Sequence, residues 1–130
     1  MAQESRARKF EKAGLYMALH DLLRETHRVC KYMDQGYRYT LGGEMRQNAG
    51  QAARYIFRAY YCQKEEVKER KEFLKRGISF LVMLLMSKRV AETLQQFNRG
   101  RKPDVSASAP QYELLLVDCI EQSERFLNFS

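Results

Sequence analysis

The chain has 130 residues, 45% hydrophobic and 30% charged, with a net charge of +7, a balance that excludes a disordered or collagen-like polypeptide. At this size about two-thirds of the surface of the unfolded chain can be buried, so one core can form without disulfides or metal. The charge is uneven: residues 1–102 hold 22 basic and 11 acidic side chains, a surplus of +11, whereas residues 104–130 hold one basic and five acidic, a balance of −4.

The first helix is predicted over residues 5–31. Leu15, Leu19, Leu22, Thr26 and Val29 recur at helical spacing, and Tyr16, His20, Leu23, His27 and Cys30 form the neighbouring stripe. Met33 to Tyr39 is turn-like. Thr40 is placed to cap the next helix, because its hydroxyl can accept an orphan amide of the first turn. Gly42 and Gly43 are poor helix formers and allow another backbone to come close.

The second helix is predicted over 41–63. Met45, Ala49, Ala52, Ile56 and Tyr60 make one apolar stripe, and Gly50, Ala53, Phe57 and Tyr61 a second beside it. Gln47, Gln51, Arg54 and Arg58 make a polar stripe. Two apolar stripes exceed what one core requires of a helix. The second stripe, Gly50, Ala53, Phe57 and Tyr61, is therefore assigned to self-association.

The third helix is predicted over 64–97. Val67, Leu74, Ile78, Leu81 and Leu85 face one way, with Phe73, Gly77, Phe80 and Leu84 beside them and Val82, Met83 and Met86 further round. At ~1.5 Å per residue it would be about 50 Å long, long enough for a bend near Ser87. Asn98-Arg99-Gly100 supplies a stop, and residues 98–109 form the one clear linker. The fourth helix is predicted over 110–127 on the line Tyr112, Leu115, Leu116, Cys119, Ile120 and Phe126. No strand-like alternation of useful length occurs. The fold expected is all-α: one antiparallel up-down four-helix bundle over residues 1–130, assembling as a ring-like homo-oligomer.

Cys30, Cys62 and Cys119 are far apart and odd in number, which is no disulfide framework. Residues 1–12 lack the apolar core of a signal peptide, and Ile78 to Met86 is too short to span a bilayer. The expected setting is cytoplasmic, without a membrane partner. His20, His27 and Cys30 share a helix face, but there is no Glu-x-x-His, CxxC, Walker loop, GxGxxG or GxSxG. No metal, cofactor, small-molecule substrate or catalytic residue is expected.

The basic surface carries the functional reading. Arg46, Arg54 and Arg58 lie on the second helix, Lys64, Lys68, Lys71 and Lys75 form a helical row, and Arg99, Arg101 and Lys102 sit in the linker. Their donors suit backbone phosphates, and Tyr37, Arg38 and Tyr39 interleave aromatics with charge, a combination that can stack unpaired bases. Residues 64–76 also alternate Lys or Arg with Glu, a pattern that equally describes a solvated face with i, i+4 pairs. Arg38 is equally suited to capping a helix end or pairing with Glu44, and the two tyrosines to packing beneath the loop.

The segment Tyr37-Arg38-Tyr39-Thr40-Leu41-Gly42, followed by a small-residue helix and Arg58-Ala59, resembles the accessory variability determinant proteins of diversity-generating retroelements. These in turn resemble the wider group of four-helix proteins encoded in intervening sequences of bacterial 23S rRNA genes. The likeness covers about residues 8–98, with Arg38, Tyr39, Thr40, Leu41 and Gly42 as the matched positions. It implies a non-catalytic basic bundle, a pentameric ring, and binding to a reverse transcriptase and to nucleic acid, RNA first and DNA second, in support of mutagenic cDNA synthesis. The chain departs from the pattern at Leu81 to Arg89, where methionines replace an arginine-bearing leucine pattern. Two alternatives stand beside this reading: a ribosomal-RNA-associated four-helix protein and a structural protein–protein adaptor.

Overall fold

The computed structural model describes residues 14–96 and 103–129, the backbone alone over 103–109. Four long helices make up the described chain: α1 (Gly14–Lys31), α2 (Leu41–Tyr61), α3 (Val67–Thr93) and α4 (Pro103–Asn128). A single helical turn, Gln35–Arg38, lies between α1 and α2, and the described residues contain no strand. The all-helical expectation is met. No described helix is long and apolar enough to cross a membrane.

Helix α1 packs on α2 and α4, and α3 also packs on α2 and α4, with the α2–α3 contact the most extensive. The helices therefore follow one another around a shared core, and the α1–α2 and α3–α4 seams lie on opposite sides. The stripes predicted to face inward supply that core. Leu15, Leu19, Leu22, Thr26 and Val29 of α1 are buried, as are Met45, Ala49, Ala52 and Ile56 of α2. Leu74, Leu81 and Leu84 of α3 and Tyr112, Leu116 and Cys119 of α4 complete it. Thr26 lies in this apolar row because its hydroxyl is satisfied there: it donates to the Leu22 carbonyl and accepts from the Tyr112 hydroxyl, each at 2.6 Å.

Several boundaries differ from the sequence reading, each for a local reason. The predicted start of the first helix at residue 5 lies outside the described residues, as do Asn98-Arg99-Gly100 and the linker candidates Arg99, Arg101 and Lys102. Helix α2 ends at Tyr61 and α3 begins at Val67, not at Lys64. The intervening turn is braced by the Arg70 guanidinium, which donates to the carbonyls of Gln63 and Lys64, and by the Glu66 carboxylate, which accepts from the Gln63 amide. Val67, expected on the inward face, is exposed at this first residue of α3.

Helix α3 stops at Thr93, not at residue 97. Gln95 takes a left-handed conformation with φ of 60°, and the Gln96 amide donates to the Ala91 carbonyl at 2.9 Å, which closes the helix end. Helix α4 begins at Pro103, inside the predicted 98–109 linker. A proline suits the first helical turn, where its fixed φ and missing N–H cost little. Pro110 is carried within the helix.

Thr40 does not cap α2 with its side chain. Its hydroxyl donates backwards to the Gly36 carbonyl at 2.9 Å and tightens the preceding turn. Gly42 does permit close approach: a Cβ there would lie 3.3 Å from the Met33 sulfur and 3.4 Å from Cys30 Cβ and the Tyr37 carbonyl oxygen. Gly43 is open by comparison.

Candidate nucleic-acid interface

The predicted basic residues separate into two groups. The first braces the connection from α1 to α2. Arg38 is half-buried; its guanidinium donates to the Met33 carbonyl at 3.4 Å, while its Nε is buried with no partner. The Arg46 guanidinium donates to the Arg38 carbonyl at 3.2 Å and lies beside Cys30. Burial pushes the Cys30 thiol up to about 11, and the Arg46 charge offsets only part of that. Tyr37 and Tyr39 project from the same segment, with Tyr39 72% exposed. Arg38 forms no ion pair with Glu44 among the described residues; its hydrogen bond goes to the turn that follows α1.

The second group forms no ion pairs among the described residues. Lys64, Lys68, Lys71 and Lys75 are all exposed, and among the described residues no ion pair involves residues 64–76. The alternating Glu residues of this run form no ion pair with the lysines among the described residues, and the run keeps a net charge of +2. Three arginines elsewhere are paired: Arg24 with Asp21 at 3.4 Å, Arg28 with Glu25 at 2.7 Å, and Arg89 with Glu113 at 3.4 Å. Lys88 is buried and pairs with Glu92 and with Glu113, the latter at 3.5 Å. This last cluster uses part of the acidic C-terminal charge within the chain.

Tyr55 joins α2 to α3 through aromatic contacts. Its ring stacks on Phe80 at 5.7 Å between centroids and lies against Phe73 at 6.2 Å. Two guanidinium groups, Arg58 of α2 and Arg76 of α3, each sit 5.8 Å from the Tyr55 centroid. Cation–π attraction holds both charges over one ring, and no carboxylate forms an ion pair with either among the described residues. Arg76 and Tyr55 are absent from the residues singled out by sequence. The only sequence trace of the cluster is the i, i+3 spacing of Tyr55 and Arg58, because the pairing with Arg76 crosses between helices.

A groove of about 440 Å³ opens along the α1–α2 seam. Leu19 and Leu23 of α1 and Gly50, Ala53 and Phe57 of α2 form its walls, with Arg54 and Arg58 also lining it. Three of the four residues assigned to self-association thus line one surface with two of those assigned to nucleic acid. The fourth, Tyr61, is half-buried with its ring 4.6 Å from Phe57. The polar stripe of α2 does not stand apart from the apolar one; Arg54 and Arg58 border it.

His20 stacks on Tyr16 at 6.3 Å and lies 3.6 Å from Asp21, apart from Cys30, which is buried. Among the described residues no three His, Cys, Asp or Glu side chains converge as metal ligands would. Comparison with protein-family models, with curated proteins and with solved structures yields no match.

Proposed function

We propose that this chain is a non-catalytic accessory protein that binds nucleic acid, RNA first, through the exposed side of α3 and its junction with α2. The observation that carries this reading is the Arg58–Tyr55–Arg76 arrangement, two like charges held on one ring without a counter-carboxylate. Like charges repel when brought together, and a polyanion relieves that repulsion. The unpaired row of Lys68, Lys71 and Lys75 extends the same charge along α3. In line with the resemblance of residues 37–42, the protein partner is a reverse transcriptase and the process mutagenic cDNA synthesis in the cytoplasm. The bundle is of the antiparallel up-down kind and assembles into a ring.

The adaptor alternative draws on a separate observation, the apolar α1–α2 groove. A salt titration of RNA binding separates the two. The logarithm of affinity should fall linearly with the logarithm of salt, by about 0.7 per contacted phosphate on single strands. Replacing Lys68, Lys71 and Lys75 by Gln should flatten the slope by up to about 2 units if each contacts one phosphate. No binding by the wild-type protein at low salt would discard the nucleic-acid reading in favour of the adaptor.

A further inference from the structure

The seam opposite the groove has the complementary character. On α3, Val82 is 42% and Met86 64% exposed; on α4, Leu114 is 70% exposed. The Arg89–Glu113 ion pair brings α3 and α4 together at this level, with Met86 one turn before Arg89 and Leu114 next to Glu113. Further along α4, Glu121 and Glu124 are exposed, and no ion pair among the described residues uses them. One side of the bundle is therefore an apolar groove bordered by arginines, and the other an exposed apolar ridge whose α4 flank stays net acidic, with Glu113, Asp118, Glu121 and Glu124 against Arg125 and the Glu113-paired Arg89.

We propose that the groove of one copy receives the α3–α4 ridge of a second copy, with Met86 and Leu114 entering it and Glu121 and Glu124 meeting Arg54 at its edge. The inference rests on the self-association part of the function proposed above and names the surfaces. Opposite charge across the contact selects this pairing over groove with groove or ridge with ridge, which would oppose like charges. Because the two surfaces differ, the contact is heterologous: each copy uses its groove for one neighbour and its ridge for the next. Such a contact closes into a ring when the rotation between copies permits, and otherwise propagates. The floor at Gly50 is open, with nothing within 4 Å of where its Cβ would lie.

Sedimentation equilibrium of nucleic-acid-free protein at high micromolar concentration tests this. Gly50→Phe should fill the groove and leave the ridge intact; Met86→Glu should spoil the ridge and leave the groove intact. Each should be monomeric alone, and an equimolar mixture should form a one-to-one dimer and nothing larger. Arg54→Glu and Leu114→Glu form a second groove and ridge pair should either first variant fail to fold by circular dichroism, and the same mixing result is expected of them. A monomeric wild type would overturn both this inference and the self-association reading. A wild type that assembles while folded groove or ridge variants assemble equally, or while the mixed variants stay monomeric, would overturn the inference alone. The RNA titration of the lysine variant is independent of all these outcomes.

Discussion

Gly77 of α3 lies so close to Ile56 of α2 that a Cβ on it would fall 2.6 Å from Ile56 Cγ1 and 3.3 Å from the Ala52 carbonyl oxygen. This contact sets the separation of the two most extensively packed helices and, one turn away on either side, the approach of Tyr55 to Phe73 and Phe80. Alanine would gain ~1 kcal/mol in helix propensity but would overpack the seam at a cost of about 1–3 kcal/mol. Gly77→Ala should therefore lower stability by up to about 2 kcal/mol in urea denaturation. Adding Ile56→Ala should show a favourable coupling in the double-mutant cycle, since it removes the clashing atoms.

Gln96 ties the end of α3 to the turn after α1. Its Oε1 accepts from the Asp34 amide at 2.8 Å, and its Nε2 donates to Asp34 Oδ2 at 3.3 Å and to the Leu94 carbonyl at 3.2 Å. The side chain is buried, so these bonds are protected from water. Gln96→Ala should cost about 1–3 kcal/mol in the same assay. Gln95→Gly, which removes the penalty of a left-handed backbone, should be neutral or stabilising by up to about 1 kcal/mol.

Alkaline pH should weaken the fold. Burial pushes the Cys30 thiol from 9.0 to about 11 and the Cys119 thiol from 9.0 to about 12, and raises the Tyr112 phenol well above its ordinary range. Above pH 9 the unfolded chain releases thiol protons that the folded chain retains. The unfolded state then binds fewer protons, so stability falls as pH rises. The contribution is complete below pH 9 and is lost between 9 and about 12. The urea midpoint should decline across that window, and Cys30→Ala with Cys119→Ala should flatten the decline. At neutral pH the half-exposed Cys62 should react first with a thiol reagent, with the two buried cysteines slow.

The aromatic platform predicts a graded effect on RNA. Arg58→Gln with Arg76→Gln should weaken binding to all sequences and flatten the salt slope by up to about 1.4 units if each guanidinium meets one phosphate. Both side chains are exposed, so circular dichroism should be unchanged. Tyr39→Ala should alter affinity for single strands with little effect on the slope, because stacking is not a counterion-release term.

The helices and most of the core were determined by the sequence alone. The spacing of Leu15, Leu19 and Leu22, of Met45, Ala49 and Ile56, and of Leu74, Leu81 and Leu84 depends only on the local period of a helix, and those residues are buried. The ends of the helices escaped that logic: Gln95 adopts φ of 60° beside Gln96, which is tied to the distant Asp34, and Thr40 gives its hydroxyl to the Gly36 carbonyl four residues earlier and not to α2. The site was decided by tertiary structure. Spacing marks two apolar stripes on α2 but not which neighbour each one meets, and it is the order of packing that leaves Gly50, Ala53 and Phe57 on an open seam. The same packing carries Arg76 to the Tyr55 ring beside Arg58 and assigns Arg38 and Arg46 to carbonyls at the turn. A helix fixes which of its own residues share a face, whereas the charges that meet across two helices are set only when the helices pack.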